Sequence, residues 1–225
     1  MIIILNNKAN LTLDEVKFYE KHIRKYDVIV LPAFCYLPLF KKGKYILGSQ
    51  DISEFKEQKR TGEINGKQLR SLNVQYSLIG HSERRIYNNE NNKTIINKIE
   101  RCLENNITPI YCITELNNKS YDDLIKEIDI VENRFTKENI IYVYEPIHNI
   151  GNINPDLNNI EERLEFIKSY IKENYKKDIT LIYGGGINTT NINVIKNIKY
   201  LDGIIISTDS LNINNLKYIY ENTRK

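Results

Sequence analysis

Eight short β-branched runs recur along this chain with helix-period segments between them, and that alternation limits the possible folds more than any other feature. The runs are Ile2–Leu5, Val28–Leu31, Tyr45–Leu47, Tyr76–Ile79, Thr108–Cys112, Ile140–Tyr144, Thr180–Tyr183 and Gly203–Ile206. Strands separated by helical segments point to βαβ units and a parallel sheet. One such segment is Thr12–Lys25, with Leu13, Val16, Phe18, Tyr19 and Ile23 as its expected buried face. Another is Asn159–Tyr175, carrying Ile160, Leu164, Ile167, Tyr170 and Ile171. Divided by eight, 225 residues leave about 28 per unit, which suits a lean (β/α)8 barrel. An open doubly wound sheet alternates in the same way, although six strands are commoner there. No Pro-, Gly- or Ser-rich linker interrupts the chain, so one domain over residues 1–225 is expected.

Charge and composition remove several function classes. The 32 basic and 29 acidic residues are interspersed, without the basic block that a nucleic-acid binder concentrates on one face or tail. The longest apolar runs lie near Ile2–Leu5 and Ile204–Ile206, far short of the roughly 20 residues a membrane span needs. Met1 leads straight into a strand-like run with no export pattern, which points to the cytoplasm. Cys35, Cys102 and Cys112 are odd in number and lack CxxC spacing, so they read as reduced core thiols. The 30 asparagines fall inside periodic segments, which argues against a prion-like tract.

In a parallel barrel the chemistry gathers where strands end, because side chains there converge on one mouth. The first run ends in Asn6-Asn7-Lys8, and the fourth passes through Gly80 into His81-Ser82-Glu83-Arg84-Arg85. Strand six delivers Glu145-Pro146, strand seven Gly184-Gly185-Gly186 and strand eight Ser207-Thr208. Each has a plainer alternative: a surface lysine, a structural histidine, an acid in a first helical turn, a tight turn. Those alternatives leave unexplained why a cation, an imidazole and a carboxylate all fall at strand ends. Glu145 in dry surroundings can act as a general base. A neutral His81 and the Lys8 ammonium can stabilise charge developing on a carbonyl oxygen. Together they suffice for proton abstraction beside a carbonyl through an enediolate, with neither metal nor organic cofactor. Glycine-rich and helix-preceding loops after strands seven and eight can present N–H groups to a phosphate. The implied substrate is a small phosphorylated aldose or ketose.

These motifs resemble the triosephosphate isomerase family over nearly the whole chain. Ile79-Gly80-His81-Ser82-Glu83-Arg84-Arg85 is similar to its fourth-strand signature, and Tyr144-Glu145-Pro146-Ile147-His148-Asn149-Ile150-Gly151 to its base and the start of its lid. Gly48–Ser53 and Thr61-Gly62-Glu63-Ile64 resemble its third loop, while Cys112-Ile113-Thr114-Glu115 and Tyr183-Gly184-Gly185 match in order. The resemblance implies a single (β/α)8 TIM barrel that interconverts dihydroxyacetone phosphate and glyceraldehyde 3-phosphate in glycolysis and gluconeogenesis. It implies that Asn6 and Lys8 bind substrate, that His81 is the electrophile and Glu145 the base, and that Glu83 organises the site. Gly151, Gly186, Ser207 and Thr208 would hold the phosphate, and Thr61 would reach into a partner's site in a homodimer.

Several positions depart from the family. Asn7 stands where an aromatic is usual, and His148 where the lid usually has tryptophan. The lid's far hinge reads Asn152-Ile153-Asn154, Gly186 replaces a serine, and Ser207-Thr208 replace a glycine pair. These changes keep two further readings open: an isomerase of a related sugar phosphate such as a tetrulose phosphate, or a catalytically weakened or non-catalytic paralogue. A metal-dependent aldolase is disfavoured by three histidines, none at ligand spacing.

Overall fold

All eight expected strands form, and they close on themselves. The computed structural model describes residues 1–57, 59–115, 120–146 and 156–224. The strands are β1 (Ile2–Asn6), β2 (Ile29–Leu31), β3 (Ile46–Ser49), β4 (Tyr76–Ile79), β5 (Thr108–Glu115), β6 (Ile141–Pro146), β7 (Thr180–Tyr183) and β8 (Gly203–Ile206). They pair in parallel in sequence order, and β8 returns to β1 from Ile2↔Gly203 through Leu5↔Ile206. The fold is therefore a (β/α)8 barrel; an open doubly wound sheet would leave two edges unpaired.

Period-2 alternation splits the apolar residues between two cores. Ile4, Ile29, Leu31, Leu78, Ile110, Cys112, Ile141, Val143, Ile182 and Ile205 form one buried cluster inside the barrel. The residues between them, such as Ile3, Leu5, Val30, Ile79, Tyr111, Tyr142 and Ile204, join the larger cluster shared with the helices. The inward phase of Ile141 and Val143 continues to Glu145, and that of Ile110 and Cys112 to Thr114. Strands β1, β5 and β6 thus run further towards the mouth than their apolar runs suggested, because polar residues occupy the last rungs.

The helices are α1 (Leu13–Ile23), α2 (Gly66–Ser71), α3 (Ser82–Tyr87), α4 (Asn92–Glu104), α5 (Asp122–Phe135), α6 (Leu157–Tyr175), α7 (Ile192–Ile195), α8 (Thr208–Leu211) and α9 (Ile213–Thr223), with a 3-10 segment over Phe34–Leu39. The start of α1 is set by Glu15, whose carboxylate accepts the Thr12 N–H at 2.8 Å. The expected buried face of α1 needs correction. Val16, Tyr19 and Ile23 are buried, as is Glu20, but Leu13 and Phe18 are exposed. Phe18 lies two residues beyond Val16, about 200° around the helix, and stacks on His22 with ring centroids 4.0 Å apart. The longer α6 behaves as expected: Ile160, Leu164, Ile167 and Ile171 are fully buried and Tyr170 is half-buried. Of the three thiols, Cys102 and Cys112 are buried, whereas Cys35 is exposed on the 3-10 segment and is no core residue.

The asparagines have local structural uses. Asn65, Asn91 and Asn212 cap α2, α4 and α9 by accepting backbone N–H groups. Asn73, Asn89 and Asn106 take left-handed backbone, where asparagine is tolerated better than most residues.

Candidate active site

The residues at the ends of β1, β4 and β6 converge. His81 follows the left-handed Gly80 (φ +71°), which turns the chain from β4 into α3 and brings the imidazole over the barrel mouth. A Cβ on Gly80 would also crowd Arg85, Ile95 and Tyr111 at 3.2–3.4 Å. His81 and Glu145 are both buried, and His81 Nε2 lies 3.2 Å from Glu145 Oε1. The opposite ring nitrogen, Nδ1, accepts the backbone N–H of Glu83 at 3.2 Å. The nearer Glu83 carboxylate oxygen is 3.8 Å from Nδ1, too far for a hydrogen bond. This pattern places the ring proton on Nε2 and leaves Nδ1 as acceptor, so a neutral imidazole directs its one N–H at Glu145.

Glu145 has a second polar neighbour, Ser82, whose hydroxyl is 3.5 Å from Oε2. Gly184, the residue directly after β7, leaves no room for a side chain next to Glu145. A Cβ there would sit 2.6 Å from Ile205 and 3.1 Å from Val143, and 3.7 Å from Glu145 itself. The register places Thr114 opposite Glu145 and Glu115 opposite Pro146. Glu115 is fully buried and engaged elsewhere: it accepts from the Tyr144 hydroxyl at 2.5 Å and pairs with Arg163 at 3.1 Å. It therefore does not compete for the mouth.

Lys8 supplies the positive charge. Its ammonium pairs with Glu83 Oε1 at 2.5 Å, and its backbone is left-handed at φ +50°. Asn6, buried at the end of β1, accepts the Lys8 N–H on its side-chain oxygen at 3.2 Å. Gln50, just past β3, donates its side-chain amide to the carbonyls of Lys8 at 2.8 Å and Leu31 at 2.9 Å. The sequence motifs that contain Ser82 and Gln50 do not by themselves reveal these contacts. The signal for Gln50 was its place one residue beyond a strand end.

The loops after β7 and β8, where the sequence leads one to expect the phosphate, are built differently. Gly186 is left-handed (φ +55°), and its carbonyl accepts from the side chains of Asn188 and Asn191. Asp209 joins the loops after β7 and β8 by accepting the Thr189 N–H and the Asn215 amide, both at 3.0 Å. Ser207 has φ −107°, so this position does not require glycine, and its carbonyl accepts from the Ser210 hydroxyl at 2.6 Å. Thr208 is exposed at the first residue of α8, a single turn of four residues, so the helix-terminus contribution expected there is small. Thr61 lies exposed on the third loop beside Gly62 (φ +87°), apart from the Lys8–His81–Glu145 group. Gly151, and with it His148 and the hinge at Asn152–Asn154, lies outside the described residues. Among the described residues, no three of His, Cys, Asp and Glu gather as a metal site, and no helix is long and apolar enough to cross a membrane.

Residues 1–223 match the family model described as triosephosphate isomerase. A triosephosphate isomerase of Mesomycoplasma hyopneumoniae (strain 7448) is 33% identical over 233 residues, covering 93% of this chain and 94% of the relative. One from Orientia tsutsugamushi (strain Boryong) is 36% identical over 187 residues, covering 78% and 74%. One from Buchnera aphidicola subsp. Baizongia pistaciae is 30% identical over 225 residues, covering 92% and 89%.

Proposed function

The chain belongs to the triosephosphate isomerase family, enzymes that interconvert dihydroxyacetone phosphate and glyceraldehyde 3-phosphate, and we propose that Glu145, His81 and Lys8 carry out that reaction here. The observation that carries this assignment is the His81 Nε2–Glu145 Oε1 approach of 3.2 Å, with Nδ1 committed to a backbone N–H.

Glu145 removes a proton from the carbon beside the substrate carbonyl. The electron pair moves into a carbon–carbon double bond while the carbonyl oxygen takes up negative charge. His81 Nε2–H donates to that oxygen, and the Lys8 ammonium stabilises the resulting enediolate. Return of the proton from Glu145 to the neighbouring carbon, with His81 moving the hydroxyl protons between the two oxygens, completes the exchange of aldose and ketose. Asn6 and Glu83 hold Lys8 in place. Gly151, Gly186, Ser207 and Thr208 receive the phosphate. Every step uses side chains and backbone of the polypeptide alone.

The same reading takes residues 1–225 as one domain, acting in glycolysis and gluconeogenesis in the cytoplasm as a homodimer completed across the interface by Thr61. The exposed third loop favours that assembly, since Thr61 has a surface to offer a neighbour. Its test is Thr61→Arg, which is expected to shift the protein towards monomer in sedimentation and to lower activity in parallel. A fully active dimer would remove Thr61 from the interface. For the chemistry, the isomerase rate of purified protein with glyceraldehyde 3-phosphate is measured beside Glu145→Gln. The expected loss in kcat is about 10²–10⁴-fold, the range of general base catalysis, with the melting temperature retained. Unchanged turnover in the variant refutes the base assignment.

A further inference from the structure

Lys8 is unusual among the proposed site residues because it has a side chain yet occupies left-handed backbone, at φ +50°. A residue with a Cβ adopts that conformation at a cost, so neighbouring groups must hold it there. Two do so, from opposite sides of the residue. Asn6 takes the Lys8 N–H on its side-chain oxygen at 3.2 Å. Gln50 takes the Lys8 carbonyl, donating from Nε2 at 2.8 Å, and the same nitrogen donates to the Leu31 carbonyl at 2.9 Å. The Leu31 carbonyl also accepts the Asn7 N–H at 3.1 Å, the backbone bond that carries the β1–β2 ladder one step beyond β1. Gln50 therefore acts where regular pairing stops, joining the chain after β3 to the loop after β1. Its own base is fixed, because the adjacent Ser49 hydroxyl bonds Ser77 of β4 at 2.9 Å.

We propose that Gln50 is a positioning residue for the isomerisation: by holding the Lys8 carbonyl it fixes the left-handed turn that aims the ammonium at Glu83 and into the mouth. This rests on the reading of Lys8 as the site's positive charge. Without both donors the turn relaxes towards commoner backbone conformations, and the ammonium leaves its place. Substrate binding, which uses that charge directly, suffers more than the proton transfer at Glu145.

The test is Gln50→Met, which keeps volume and removes both donors, measured alone and in a Lys8→Arg background. Alone, it is expected to lower kcat/KM about tenfold, mostly through a higher KM for glyceraldehyde 3-phosphate. In the Lys8→Arg background it is expected to lower kcat/KM no further, because the group it positions has already been changed. An equal loss in both backgrounds, or none in the single variant, overturns the proposal, and a stability loss alone would not produce the non-additivity. If Lys8→Arg by itself leaves kcat/KM unchanged, the reading of Lys8 fails first and takes this proposal with it. Gln50→Asn, with its donors one methylene short, replaces the Met variant if that one does not fold, and the same outcomes apply.

Discussion

The two sides of the barrel mouth are built on different principles. On the side proposed for proton transfer, β1, β4 and β6 bring four named side chains together through contacts of 2.5–3.8 Å among Lys8, His81, Glu83 and Glu145. On the side proposed to hold the phosphate, called the anion side below, the loops after β7 and β8 are joined to one another through Asp209, and the described bonds there involve backbone groups and short polar side chains. Moving a proton requires a particular titratable group at a particular distance, so residue identity is fixed. Holding a phosphate requires hydrogen-bond donors, and every non-proline residue carries one, its backbone N–H. The first side tolerates little sequence change and the second a good deal. Gly186, Ser207 and Thr208 can therefore differ from the family's usual residues in a barrel that keeps Lys8, His81 and Glu145, the residues proposed for the chemistry.

The sharpest way to break this comparison is His81→Gln. It keeps an amide donor but loses the ring that both caps α3 and directs its proton at Glu145. The expected loss in kcat is about 10²–10³-fold, the cost of removing one donor aimed at developing oxyanion charge. If steady-state kinetics show less than a tenfold change, side-chain identity matters no more on this side than on the other.

The same contrast decides how much was legible in the sequence. Strand number, parallel order and the barrel follow from alternation, because a strand buried on both faces shows as an apolar run. The exact strand ends do not. Thr114-Glu115 and Glu145-Pro146 still pair in the ladder, although the apolar signal stops at Cys112 and Tyr144. Function begins where hydrophobicity gives out, so a pattern keyed to hydrophobicity stops short of it. Leu13 and Phe18 depart from the expected face for two different reasons: Phe18 falls on the solvent side of the 3.6-residue period, whereas Leu13 is in phase with the buried face but is the first residue of α1 and remains exposed there. His81, Glu83 and Glu145 could be read from their motif. The tautomer of His81 could not, since it depends on a backbone N–H that only the fold supplies. Nor could Gln50, whose two acceptors lie 42 and 19 residues away along the chain.

A smaller effect is expected from Asp209→Ala, which sharpens the comparison from the anion side. Asp209 accepts from both the Thr189 N–H and the Asn215 amide, so its loss frees the loops after β7 and β8 from each other. A hydrogen bond to an ionised group contributes about 1.5–3 kcal/mol, most of which water recovers when the loops separate, so KM is expected to rise only roughly three- to tenfold. kcat is expected to stay within about twofold, because no reacting atom is touched. A matching drop in kcat, measured under saturating substrate, would mean that the two sides are mechanically coupled.

The smallest effect should come from Thr208→Gly. Thr208 is exposed and opens the one-turn α8, in helical backbone and not among the residues at positive φ. Glycine relieves no strain there, and it removes one exposed hydroxyl while leaving the backbone N–H in place. If the phosphate is held chiefly by backbone donors, KM for glyceraldehyde 3-phosphate changes less than about threefold, under the cost of one ordinary hydrogen bond. A tenfold rise in KM would show the hydroxyl itself acting as a phosphate donor. The anion side would then depend on residue identity as the proton-transfer side does, and the glycine pair usual in the family would have been replaced by a working side chain.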